Sequence, residues 1–119
     1  LGSNSTLLNI NISSCHLGDG GVSILARSLG SRNTTLQKLT LDANDISSVG
    51  VGMLLEAMEQ NNNSITDLSL QNNNIGNEGA SLLARSLRNS TLPNLTRLYL
   101  SQCGIGGDDG FIALVSALE

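Results

Sequence analysis

Residues 75–87 read IGNEGASLLARSL, and residues 17–29 read LGDGGVSILARSL. The two phrases share two glycines, a serine and the closing LARSL. Each follows a short run in which apolar and polar residues alternate: ITDLSLQNNN before the first, LLNINISSCH before the second. Alternation is the signature of a half-buried strand, whereas leucines three and four residues apart mark one face of a helix. The chain therefore writes a strand and then a helix, and writes the pair again.

Aligning the leucines extends the pattern over the whole chain. The strand segments LLNINISSCHL, LQKLTLDANDI, ITDLSLQNNNI and LTRLYLSQCGI begin at Leu7, Leu36, Ile65 and Leu95, so their starts are 29, 29 and 30 residues apart. Each obeys L-x-x-L-x-L-x-x-N/C-x-L/I with Ile allowed for Leu. Ile10 and Ile12, Leu39 and Leu41, Leu68 and Leu70, and Leu98 and Leu100 define the buried strand face. Leu25 and Leu29 recur as Leu54 and Met58, Leu83 and Leu87, and Leu114 and Leu118, one stripe on each helix. No single unit can bury both faces, so the units stack into a parallel sheet backed by helices. Helices are wider than strands, and the stack curves with its strands inside.

This pattern, with its long period and its IGxxGAxxLAxxL consensus, resembles the leucine-rich repeats of the ribonuclease-inhibitor-like class. The resemblance covers essentially the whole chain, four times over. It implies an α/β solenoid, a horseshoe segment of four strand–helix repeats with a concave parallel sheet and convex helices. Residues 1–119 are expected to form one domain within a longer array. Further repeats or another chain are expected to cover its open ends, because a complete repeat begins at Leu7 and no polar capping unit is visible.

Local chemistry suggests where the helices start and stop. Asp19, Ser48 and Asn77 stand two residues past the Leu or Ile that closes each strand motif, where an N-cap is wanted. Gly30 suits a left-handed stop after Leu29, and Asn61 to Asn63 suit one after Met58. The fourth unit is one residue longer before its helix, which predicts a bulged loop over residues 106–109. Pro93 lies in a connection that is also one residue longer than its counterparts.

Composition narrows the function. Hydrophobic residues make up 39% of the 119 but aromatics only 2%, so the core is aliphatic. The net charge is -4 and Lys plus Arg total six, too few for the basic patch that binds nucleic acid by counterion release. No apolar run approaches the ~20 residues of a membrane span. No nucleophile–base pair and no complete set of metal ligands can be placed, so neither catalysis nor a metal or cofactor is expected. GDGG at residues 18–21 and GGDDG at residues 106–110 lack the other parts of a P-loop or an EF-hand. They read as helix starts with acids at the positive end of the dipole.

Cys15 and Cys103 hold the motif position of Asn44 and Asn73, a ladder of inward-turned residues that bond the turns between repeats. Strands one and four lie roughly 14 Å apart at ~4.8 Å per strand, too far for a disulfide. Two free, buried thiols are predicted. His16 reads as a solvated edge residue. Lys38, Asp67 and Arg97 hold one position on successive strands, and Arg27, Glu56 and Arg85 one position on successive helices, so opposite charges are expected to be lateral neighbours.

The concave face is where curved solenoids usually bind. Its outward positions are Asn9, Asn11 and Ser13; Lys38, Thr40 and Asp42; Asp67, Ser69 and Gln71; and Arg97, Tyr99 and Ser101. Only Arg97 and Tyr99 belong to the residue types that dominate interface energetics. The resemblance implies a non-catalytic scaffold or recognition segment for a protein partner. It leaves open a regulator of a GTPase, as in the Ran GTPase-activating proteins, and a purely structural spacer. Ribonuclease inhibitors use aromatic-rich contacts and abundant cysteine, and this chain departs from them in both. Unpaired cysteines and the intracellular habit of such repeats point to the cytoplasm. Six N-x-S/T sequons, at Asn4, Asn11, Asn33, Asn62, Asn89 and Asn94, keep secretion as the alternative.

Overall fold

The computed structural model describes residues 9–31, 36–60 and 64–105. Strands and helices alternate along the chain: β1 (Asn9–Asn11), α1 (Gly18–Ser31), β2 (Lys38–Thr40), α2 (Ser48–Gln60), β3 (Asp67–Ser69), α3 (Gly76–Arg88) and β4 (Arg97–Tyr99). The four strands form one parallel sheet in the order β1-β2-β3-β4. Its register pairs Ile10 with Leu39, Leu39 with Leu68, and Leu68 with Leu98. Equivalent positions of the repeat therefore lie side by side, and the helices stack in the same order.

Between sheet and helices lies the aliphatic core that the alternation requires. Leu39, Leu41, Leu68 and Leu70 meet Leu29, Leu54, Met58 and Leu83, all fully buried. Each such side chain contributes about 1.5–3 kcal/mol by leaving water. Leu98, Leu100 and Leu87 are only partly buried against this core. Leu92, in the longer connection before β4, turns inward and is buried, while Pro93 beside it is exposed.

The strand-to-helix turns are bonded across repeats. Ser14 N–H donates to the Asp42 carbonyl, Ala43 N–H to that of Gln71, and Asn72 N–H to that of Ser101, each at 2.9 Å. Ser14, Ala43, Asn72 and Gln102 occupy one motif position, and all have φ between 55° and 59°. That left-handed residue bends the chain off the sheet toward its helix.

The helix starts differ from the sequence expectation. The N-cap of α3 is Ile75, with no side-chain cap hydrogen bond, and Asn77 already lies inside the helix. Asp19 lies inside α1, and its carboxylate serves the next repeat instead. Asp19 Oδ1 accepts Ser47 N–H at 2.9 Å and Gly50 N–H at 3.1 Å, and Oδ2 accepts the Ser47 hydroxyl. Ser48 opens α2, but the hydroxyl at its N-terminus that accepts Val49 N–H, at 3.2 Å, belongs to Ser47. The differences have one cause: the turn delivers the helix early, by one residue at α2 and by two at α1 and α3, where Gly18 and Gly76 take φ 62° and 64°. Nor does Gly30 stop α1, which continues to Ser31. The expected stop at Asn61 to Asn63, the bulge at residues 106–109 and the helix stripe at Leu114 and Leu118 lie outside the described residues.

Candidate functional site

The register turns the outward strand residues into rows across the sheet. One row runs Asn9, Lys38, Asp67, Arg97, and the next runs Asn11, Thr40, Ser69, Tyr99. Ser13, Asp42, Gln71 and Ser101 follow at the turn. Asn9, Asn11, Lys38, Arg97, Tyr99 and Ser101 are exposed, whereas Ser13, Thr40, Asp42, Asp67 and Gln71 are half-buried. Ser69 is buried, contrary to its expected place on an open face. Its hydroxyl donates to Asp42 Oδ1 at 2.6 Å, and the same oxygen accepts Gln71 N–H at 2.9 Å. Ser13 folds back as well: Asn11 Oδ1 accepts its hydroxyl at 2.6 Å and its N–H at 3.1 Å.

Of the two expected charge columns, one lateral contact is made among the described residues. Arg97 Nη1 lies 3.7 Å from Asp67 Oδ2, with 65% of the Arg97 side chain and 16% of the Asp67 side chain exposed. Asp67 Oδ1 also accepts the Thr66 hydroxyl at 2.7 Å. Lys38, though in register with Asp67, makes no ion pair within 4 Å among the described residues. The helix column of Arg27, Glu56 and Arg85 makes none either. Packed helices stand about 8–10 Å apart, twice the strand spacing, and these three side chains do not meet.

The ladder is structural. Asn44 Oδ1 accepts Cys15 N–H at 2.8 Å and Leu17 N–H at 3.3 Å, and its amide donates to the Ile12 carbonyl at 2.6 Å and the Asp42 carbonyl at 3.2 Å. Asn73 repeats the arrangement one layer on. Cys103 is buried and its thiol donates to the Leu70 carbonyl at 2.9 Å. Burial raises the Cys103 pKa above the usual thiol value. Both thiols are free, but Cys15 is exposed, which corrects the expectation of burial. Asn44, Asn73 and Cys103 each reach back to the layer before them, and no strand is paired to the outer side of β1 among the described residues.

His16 is an exposed edge residue. Its Nδ1 lies 3.6 Å from Asp45 Oδ2, with 89% and 76% of the two side chains exposed. The Cys15 thiol points instead to the Ser13 carbonyl at 3.4 Å, so no Cys–His pair is assembled. Among the described residues there is no group of three or more His, Cys, Asp or Glu able to hold a metal ion. No described helix is long and apolar enough to cross a membrane. Sequence reasoning missed Thr66 as a support of Asp67, and the Ser69–Asp42 bond. The repeat register carries the second signal, since it sets Ser69 within one strand and two residues of Asp42.

No curated protein matches the chain in sequence. Among solved structures, it is similar to Leiomodin-1 Actin-Binding Site 2, with a TM-score of 0.83, 19% identity, and coverage of 97% of this chain and 65% of that one. It is also similar to the tropomodulin C-terminal domain of Caenorhabditis elegans, with a TM-score of 0.73, 21% identity, and coverage of 98% and 69% respectively. The chain thus spans just under two thirds of the leiomodin-1 structure's length. At these identities the likeness is one of fold. The sequence pattern of the leucine-rich repeat matches four times, at residues 3–26, 32–55, 61–84 and 91–115, and the chain belongs to the leucine-rich repeat family.

Proposed function

We propose that the chain is a non-catalytic recognition module that holds a protein partner on its concave strand face. The observation that carries this reading is the pair Arg97 and Tyr99 on β4. Both project from one strand, the arginine side chain is 65% exposed, and the residue Tyr99 is 44% exposed. Arg and Tyr are the residue types that anchor protein interfaces, and Tyr99 is the only tyrosine in the chain. The rigid sheet beneath them supports the reading, because preorganised anchors lose little entropy on binding. The similar leiomodin-1 structure is an actin-binding site of that protein, so actin is the first partner to try. The free thiols, one of them exposed, support a reducing cytoplasmic setting. Hexose-bearing mass increments on the natural protein would overturn that setting.

The test is comparative capture from native lysate, with purified actin as a separate arm. The unmodified chain is set against an Asp67→Lys, Arg97→Glu, Tyr99→Ala variant. A protein retained only by the unmodified chain supports recognition on the sheet. Equal retention by both moves binding elsewhere, and no specific retention by either favours a spacer.

A further inference from the structure

The concave face treats its acids and its bases differently. Its two acids are sunk and occupied. Asp42 is half-buried and accepts the Ser69 hydroxyl at 2.6 Å and Gln71 N–H at 2.9 Å. Asp67, with 16% of its side chain exposed, accepts the Thr66 hydroxyl at 2.7 Å and faces Arg97. The two bases are lifted. Lys38 is exposed and has no carboxylate within 4 Å among the described residues, while Arg97 keeps 65% of its side chain in solvent beside a long 3.7 Å contact. A guanidinium offers five donors, and one such contact leaves most of them free. The four charges sum to zero, but the exposed ones are the bases, on a chain whose overall charge is -4.

From this we infer that the sheet docks an acidic segment of a protein partner, an inference that rests on the concave-face reading above. Lys38 and Arg97 share one row on either side of Asp67, and their backbones stand about 10 Å apart at two strand spacings. They hold two separate carboxylates of the segment. Two residues further along β4, the Tyr99 ring lies in the adjacent row and covers an apolar residue of the same segment. Arginine accepts a carboxylate bidentately and lysine as a point charge, so Arg97 sets orientation and Lys38 adds attraction.

The test is amide chemical-shift mapping of the ¹⁵N-labelled chain with three short capped peptides, in which leucine alternates with glutamate, glutamine or lysine. The glutamate peptide is expected to shift the Lys38, Asp67, Arg97 and Tyr99 amides. Lys38→Gln and Arg97→Gln are each expected to weaken this binding about two- to fivefold, and added salt to weaken it further. Unchanged Asn44 and Asn73 amides in both variants show that the fold is intact. Equal or stronger shifts on the same strands with the glutamine or lysine peptide overturn the acidic preference and leave the concave-face reading standing. Shifts confined to the helices overturn both, and none with any peptide overturns the acidic segment alone. Strand shifts that grow with protein concentration alone assign the face to a second copy and overturn the proposal.

Discussion

The side-chain oxygen of Asn73 accepts the backbone N–H of Asn44 at 2.9 Å and that of Ile46 at 3.1 Å. A single amide thus closes the turn of the preceding repeat, while its NH₂ group donates to the carbonyls of Leu41 and Leu70. Asn73→Ala strips partners from buried backbone groups on two repeats, and should cost roughly 2–4 kcal/mol in urea unfolding. Asn73→Cys should cost less, since Cys103 fills the equivalent place with a thiol that donates to the Leu70 carbonyl, as the Asn73 amide does to that of Leu41. An Asn73→Ala variant as stable as the parent would show that the ladder does not hold the layers together.

Gly50 is glycine because of a residue in another repeat. A Cβ there would run into Asp19 Oδ1 and lie 2.8 Å from Ile46 Cγ2. Alanine is favoured over glycine within helices by about 1 kcal/mol, yet Gly50→Ala is predicted to destabilise by roughly 1–2 kcal/mol, because it pushes Asp19 off the N-terminus of α2. A double-mutant cycle with Asp19→Ala should be strongly non-additive. Additive losses would mean that the two residues act independently.

Ala43 takes φ 56°, a conformation that asparagine holds at the equivalent Asn72. A left-handed alanine costs about 1–2 kcal/mol, and glycine gives back part of that gain as chain entropy. Ala43→Gly should therefore stabilise by about 0.5–1 kcal/mol, read as a higher urea midpoint with unchanged slope. A lower midpoint would contradict the strain.

The two thiols should differ sharply. Exposed Cys15 reacts with iodoacetamide in the native protein, and buried Cys103 only after unfolding. Burial raises the Cys103 pKa above the ordinary 9.0, with the Asp42 charge adding to it and the Asn73 backbone N–H opposing it. The folded state then holds this proton to higher pH than the unfolded chain does. The stabilisation is full below pH 9.0 and is lost as pH rises through the folded pKa. Urea midpoints should fall at alkaline pH more steeply for the parent than for Cys103→Ala, and parallel slopes would remove this thiol from the pH response.

The fold is legible in the sequence because its evidence is local and written four times. Alternation at Leu39 and Leu41, and the helical stripe of Leu54 and Met58, set each element without knowledge of its neighbours. What depends on a neighbouring layer is harder to read. In sequence Asp19 has the place of a cap for its own helix, yet it caps the next one, because stacking sets α2 beside it. Cys15 shares the motif position of buried Asn73 but is exposed, because ladder burial takes two layers. On the sheet, the row of Lys38, Asp67 and Arg97 follows from the repeat period, whereas the burial of Ser69 comes from its bond to Asp42.

Recognition on the strand face is tested most directly by photo-crosslinking in native lysate. One preparation carries p-benzoylphenylalanine in place of Tyr99, and another in place of Ile24, which is 64% exposed on α1. Binding on the sheet predicts a discrete protein adduct from position 99 that unlabelled parent chain competes away, and none from position 24. An adduct from position 24 with none from position 99 would place the partner on the helices and contradict the concave-face assignment.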